Sequence, residues 1–462
     1  MAFLFNNSCP EMTDMIRSSI ASDVPFDLGT IGTRTILTGA ITLVSFTYLL
    51  LTASLSPANA TDFDCCADLE DRIAELEETT ARKGNRKVSL TIAGQVNHAL
   101  LFWDDGSERN SYVVGDKNDQ SNFSFTGDAQ ITPDVRTGFV ITLRLRDTLS
   151  DAVDQVQDDG VLGFTLWEIF SYVESKRLGR FSLGQLSRVS DTAPENDLSK
   201  TAVAGYVGVE DMGGAFFLRL NTGTLSSITL RDVYNHFNGD TANVVRYDTP
   251  ALAGVVLATS YGEDDIWDVG AKYDGTLGDL QINGSIAYSQ STDSNGLDGS
   301  GASDNQTVVG SIAVLHKPSG LNALIAAGNR SFDNLVIDGD GVLRTPKDAN
   351  YVYGKIGCIA QLTALGPTAF YGEYGHFHNY ISASDTFTPV DIGADGVRFT
   401  GNNAQVWGAG VVQHIEAAEM QLYIGYRHHD FDFDVVNAAG NSVTTPGVKN
   451  FQSIVVGSKI TF

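Results

Sequence analysis

Four histidines toward the C-terminal end, His376, His378, His428 and His429, are of the type a metal site or a general base would use. No nucleophile motif accompanies them, and His378 and His428 fall near segment ends, where solvated histidines are ordinary. Asp293, Asn295 and Asp298, with Asp304 beyond, offer the oxygen ligands calcium prefers, but no closing glutamate follows, and such strings more often form turns. No metal, cofactor or catalytic residue is expected. A third group stands out by charge. Asp191, Glu195, Asp197, Glu210 and Asp211 crowd one polar stretch, 187–240, while Arg136, Arg144, Arg180 and Arg246 sit at polar positions of alternating segments. If the two sets face each other across a gap, they set a transverse field that orients polar solutes. Burying either set alone would be costly. The plainer reading is solvated loop acids and rim arginines.

The elements that would position these groups follow from composition and pattern. The chain of 462 residues carries a formal charge of −26, which excludes a nucleic-acid partner because phosphate binding needs Lys and Arg. Glycine is abundant at 47 residues, and the mean hydropathy is −0.05. No apolar run after residue 60 is long enough to span a bilayer as a helix. A barrel with apolar side chains toward lipid and polar ones toward water averages to such a value. Cys9, Cys65, Cys66 and Cys358 lack metal-ligand spacing, and pairing of Cys65 or Cys66 between subunits stays open.

Arg34, an apolar run over 36–55 and the small residues Ala58-Asn59-Ala60 read as a secretory signal peptide, residues 1–60, cleaved after Ala60. The polar stretch ahead of Arg34 is long, so Met12 or Met15 is an alternative start; an uncleaved anchor is the competing reading. Residues 61–85 form a short charged segment. Within it Leu69, Ile73 and Leu76 make a narrow seam at helical spacing among acids, either a coiled-coil-like periplasmic helix or an unstructured acidic leader.

From residue 86 to 462 the period becomes two. Phe139, Ile141, Leu143 and Leu145 alternate with Thr142, Arg144 and Arg146; Leu280, Ile282, Ile286 and Tyr288 alternate with Gln281, Asn283, Ser285 and Ser289. The spacing predicts strands near 87–103, 121–132, 135–146, 164–176, 178–186, 243–249, 252–263, 266–275, 278–292, 305–317, 320–333, 349–361, 366–380, 402–416, 418–432 and 449–462. Tight turns alternate with long polar loops. That is the plan of an all-β, transmembrane antiparallel β-barrel of about sixteen strands in the outer membrane, in contact with its lipid. Residues 215–220 and 227–232 also alternate, which would make an eighteen-stranded, substrate-specific channel with a shorter loop. The last strand ends on Phe462 in register with Ile454, Val456 and Ile460, the signal that barrel-assembly machinery reads.

The runs Ala67-Asp68-Leu69-Glu70-Asp71-Arg72-Ile73 and Lys87-Val88-Ser89-Leu90-Thr91-Ile92, the block Ser182-Leu183-Gly184-Gln185 and the terminal Val456-Gly457-Ser458-Lys459-Ile460-Thr461-Phe462 resemble alphaproteobacterial porins. The resemblance implies a homotrimer of barrels, each a water-filled channel for passive diffusion of small hydrophilic solutes and ions. It also implies that the long loop within 187–240 bends inward. The five acids would then line one wall of a constriction and the four arginines the other. Two other functions remain to be separated from this one: a structural protein tethering the envelope through its N-terminal helix, and a barrel phospholipase using the histidines.

Overall fold

The computed structural model describes residues 87–262, 265–292, 305–332, 336–337, 343–344, 347–380, 398–436, 442 and 447–462. The expected signal peptide, the charged helical segment, the 293–298 oxygen string, Cys65 and Cys66 lie outside these residues.

Period-two patterning produces strands almost everywhere it was read. β1 (Ser89–Asp104), β2 (Arg109–Gly115), β3 (Asn122–Thr132), β4 (Val135–Arg146), β5 (Gly163–Ser175) and β6 (Gly179–Ser187) precede the long loop, which holds the short β7 (Phe217–Arg219) and β8 (Leu225–Thr229). β9 (Thr241–Asp248), β10 (Val255–Gly262), β11 (Trp267–Leu277), β12 (Leu280–Ser291), β13 (Asn305–His316) and β14 (Leu321–Phe332) follow. After the small pair β15 (Val336–Ile337) and β16 (Leu343–Arg344) come β17 (Ala349–Thr363), β18 (Gly366–His378), β19 (Arg398–Ile415), β20 (Met420–Val436) and β21 (Phe451–Thr461).

The wall is a closed antiparallel barrel of sixteen strands. Closure comes from β1 against β21, with Gln95 opposite Thr461 and Asp104 opposite Gln452. Among the described residues it leaves the wall without an unpaired edge, which a lipid environment would penalise. The segments β2 and β3 count as one wall strand because both pair with β1: His98 to Asp104 meet Gly115 to Arg109, and the chain returns to the wall at Asn122. Between them residues 116–121 leave the sheet.

Side-chain direction separates two environments. Leu257, Ile286, Ile312, Ile325 and Val352 project outward and are about half exposed. Their strand neighbours Asp268, Ser285, Ser311 and Lys355 point inward and meet the long loop. A continuous belt of exposed apolar side chains is untenable in water and is the lipid-facing surface.

The packed core lies inside the barrel, between the loop and the wall. Val207, Val209, Met212, Phe216, Leu230 and Phe237 from the loop are buried against Leu101, Trp103, Tyr351, Phe377, Val406 and Phe451. Tyr234 meets Phe377 edge-on at 4.9 Å, and Phe216 meets Trp103 at 5.0 Å. Close approach requires glycine here. A Cβ on Gly205 of the loop would stand 2.4 Å from the Tyr371 ring, and one on Gly410 of the wall 2.6 Å from it.

The eighteen-stranded alternative is overturned. Part of those residues does form a hairpin, β7 with β8, but it is a separate two-stranded sheet that joins no wall strand; Leu220 bridges to Val448, in the chain before β21. Its apolar side chains Leu218 and Ile228 join the internal core instead of facing lipid. Elements this short cannot cross a bilayer, which takes about 9–11 residues per strand.

Candidate functional site

The loop is fastened to the inner wall along most of its length. Ser190 donates to Asp268 at 2.7 Å, and Ser285 and Ser311 donate to the Ala193 carbonyl at 3.0 and 2.7 Å. Lys355 meets Asp197 at 2.6 Å. Arg427, paired with Glu373 at 2.8 Å, donates onward to the Tyr206 carbonyl at 2.6 Å. The Tyr234 hydroxyl donates to the Gln405 carbonyl at 2.9 Å. At the opposite end Arg219 reaches Asp105 in the β1–β2 turn at 2.7 Å. These anchors sit in the β1–β2 turn and on β11–β13 and β17–β20, so the loop covers that side of the lumen.

The inward side chains of β3–β5 are left uncovered. Ser124, Thr126, Asp128, Thr142, Arg144, Trp167, Glu168 and Phe170 are only half-buried. A polar gap therefore runs between the loop and this part of the wall. Trp167 reaches it through a β-bulge: Thr142 pairs with Glu168 and Leu143 with Leu166, so Trp167 is the extra residue. Its ring lies 3.2 Å from the Arg144 guanidinium, a cation–π stack.

The loop's face to the gap is acidic and held together by one histidine. His236 Nδ1 lies 2.8 Å from Glu210 and Nε2 3.2 Å from Glu195. Burial works to lower the imidazole pKa, but the Glu210 charge and the hydrogen bonds to both carboxylates overcome it and hold the pKa well above the usual value. The ring is thus a cation between two carboxylates. Burial would raise both glutamates as well, yet the imidazolium holds them below their usual range. Asp191 is pushed up to about 7 by burial and by neighbouring Glu195 and Asp240, with Arg144 acting in the opposite sense. Burial also pushes Asp211 up to about 7; Lys117 is the strongest charge opposing the rise, and Glu210 adds to it.

The nine expected charged residues are distributed as follows. Arg144, Asp191 and Asp211 belong to the gap, and Glu195 and Glu210 border it through His236. Asp197 turns away to Lys355, a wall anchor; burial would raise its carboxyl, but Lys355 lowers it below the usual range. Arg136 and Arg180 lie one register row from the short turns, in a ladder running Arg136, Glu174, Arg180, Asp248 across β4, β5, β6 and β9. Arg136 donates from Nη2 to both carboxylate oxygens of Glu174, at 3.1 and 2.9 Å. Arg246 is paired with Asp248 at 2.8 Å and donates to the Ser187 carbonyl at the root of the loop. Phe462 completes the closing seam, its backbone exchanging hydrogen bonds with Gly94 at 2.9 and 3.0 Å.

Sequence reasoning passed over His236, Asp240, Lys117 and Trp167. The signal for His236 was present: it is the one histidine inside the acid-rich stretch 187–240. The four histidines weighed instead form no common site. His429 is buried beside the Tyr234 hydroxyl at 3.2 Å, and His428 stacks on Trp407 at 5.1 Å. Among the described residues no group of His, Cys, Asp and Glu is arranged to hold a metal ion.

A sequence model of Gram-negative porins matches residues 47–434. No curated protein matches the chain. Among solved structures, OprB of Pseudomonas putida is similar at 9% identity with a TM-score of 0.50, covering 86% of this chain and 97% of that one. An anion-selective porin from Comamonas acidovorans shares 14% identity at a TM-score of 0.49, covering 81% and 100%. OmpT, an outer membrane protein of Vibrio cholerae, shares 13% at 0.49, covering 82% and 99%.

Proposed function

The chain belongs to the Gram-negative porin family and is an outer-membrane channel for passive diffusion of small hydrophilic solutes, and from that premise we propose that its selectivity is set in the gap between the loop and β3–β5. The observation that carries this reading is that Arg144 on β4 lies close enough to Asp191 and Asp211 of the loop to feel their charges, beside the half-buried inward side chains of β3–β5. Such opposed charges orient a polar solute as it passes and disfavour an apolar one. Arg136 and Arg246, each paired with a carboxylate, and Arg180, stacked on Tyr172, then shape the wall on the side of the short turns. Once Asp191 and Asp211 are ionised, above the value of about 7 to which they are raised, they and exposed Asp240 outnumber the unpaired cations Arg144 and Lys117, which favours cations over anions in mildly alkaline salt.

The functional unit in this reading is a homotrimer without enzymatic activity, in the alphaproteobacterial branch, exported by its leader and inserted through recognition of the strand that ends at Phe462. Val156, Val161 and Leu162 support the trimer. They lie on the loop joining β4 to β5 and are more than two-thirds exposed, an apolar surface that a neighbouring copy would cover.

Purified protein in a planar bilayer under a salt gradient tests the assignment. At about pH 8, where Asp191 and Asp211 are ionised, ohmic steps grouped in threes with a cation-sided reversal potential are expected, and R144Q should move that potential further toward cations. A native channel whose reversal potential ignores R144Q would remove the constriction from this gap.

A further inference from the structure

The interruption between β2 and β3 has no role in closing the wall, since a continuous strand would pair with β1 equally well. It is nevertheless built with care. The Tyr423 hydroxyl donates to Asp116 at 2.8 Å and contacts Asn97 at the same distance, with Asp116 fully buried. Farther along, Asp119 is tied to Lys459, and Gln120 donates to the Leu145 carbonyl at 2.6 Å. Both ends of the inward turn are therefore pinned to the wall.

Its tip is pinned to the loop. The Lys117 backbone amide donates to Ser150 Oγ at 3.0 Å, and the same hydroxyl donates to the Asp211 carbonyl at 2.7 Å. Asn118 reaches the Val203 carbonyl at 3.3 Å. Ser150 is fully buried, so one hydroxyl fixes the spacing between Lys117 and Asp211. The Lys117 side chain is treated differently from everything around it. Among the described residues its ammonium has no hydrogen-bond or ion-pair partner, the residue is half-buried, and the charge is felt at Asp211.

We propose that Lys117 is a selectivity-determining residue of the channel: the inward turn of residues 116–121 sets a free ammonium into the ion path opposite Asp211. The purpose of breaking the strand is then electrostatic. A side chain on an unbroken wall strand is confined to the wall's own surface, whereas one on an inward turn is carried toward the middle of the gap. Together with Arg144 it supplies the positive side of the field, and its unpaired state leaves the charge available to passing ions. This assignment rests on the channel gap proposed above.

Reversal potentials of wild type, K117Q, K117E, K117R and R144Q in a potassium chloride gradient test it. K117Q should raise the cation-to-anion permeability ratio by about threefold, the effect of one unit charge within several Å of ions in water. K117E should raise it further, and K117R should match wild type. The ratio should also respond less at high salt. If K117Q and K117E change only conductance or open time and leave the reversal potential in place, the residue is structural and the proposal falls. If R144Q is silent as well, the gap itself has been misassigned; if R144Q responds and K117Q does not, Lys117 alone is refuted. Should K117E fail to assemble, K117Q, which only removes the charge, decides the matter.

Discussion

Replacing His236 by glutamine removes the one cation that holds the acidic limbs of the loop together. In the native protein the ring bridges Glu210 at 2.8 Å and Glu195 at 3.2 Å, and both carboxylates are largely buried. Glutamine can keep one hydrogen bond but brings no charge, so two carboxylates are left facing each other. Stripping the partner from a buried charge pair costs about 3–5 kcal/mol. The glutamate side chains keep 16% and 14% exposure to the lumen, which places the cost at the lower end, about 3 kcal/mol. That corresponds to about a 150-fold shift toward the unseated limb. The remaining anchors at Asp268, Lys355 and Arg427 keep the loop inside the barrel, so the expected result is a noisier channel rather than an unplugged one. Single-channel recording and limited proteolysis within 187–240 measure it. Alkali should mimic the substitution. The imidazole pKa is raised in the folded loop, so its stabilisation is complete below about 6.5 and is lost as pH climbs through the raised value. Wild type should therefore become noisy in alkali and converge on H236Q, which should not change there. Equal noise and equal protease resistance in both proteins at neutral pH would refute the bridging role.

Three further outcomes are expected. Because Asp191 and Asp211 are pushed up to about 7, they take up protons as pH falls from about 8 to 6. Cation preference should decline over that interval, and a reversal potential independent of pH there would contradict it. R427M leaves Glu373 buried and unpaired and frees the Tyr206 carbonyl, a loss of about 3–5 kcal/mol, read as a lower temperature of the folded-to-unfolded shift on gels. The double variant E373L/R427M should recover part of that loss, and a neutral single variant would show the pair to be dispensable. I325K puts a charge on the lipid-facing side of β14 at a cost of about 2–4 kcal/mol, measured by denaturant unfolding in vesicles. Full stability of that variant would argue against the assigned outward face.

The wall was legible in the sequence because a period of two is a local property. Val135–Arg146, read as 135–146, coincides with β4, and Asn122–Thr132, read as 121–132, with β3. The run Arg109–Gly115 escaped because it is short and ends in Gly-Asp-Lys-Asn-Asp, which has the composition of a loop. It is a strand through its partner β1, a contact no local pattern encodes. The hairpin of β7 and β8 shows the converse. Its alternation is genuine, but whether an alternating face meets lipid or an internal core depends on what surrounds it. Charge type within 187–240 could be read, whereas charge pairing could not. Asp197 and Asp191 are both loop acids close in sequence, yet one is bound to Lys355 and the other faces Arg144. Trp167 points into the lumen only because a bulge shifts the register of β5, and a single inserted residue leaves no trace in composition.

The long loop also bears on the order in which the protein takes shape. Its partners stretch from Asp105 on the first hairpin to Arg427 near the end of the chain, the latter 221 residues from Tyr206. Contacts of such separation form late and slowly. The apolar side chains it buries, Phe216 and Tyr234 among them, find their final neighbours only once β18–β21 have arrived. A finished cylinder offers a folded insert of this size no way in. The sheet must therefore curl around a segment it is already carrying, and the last seam, Gly94 to Phe462, shuts on an interior that is already occupied.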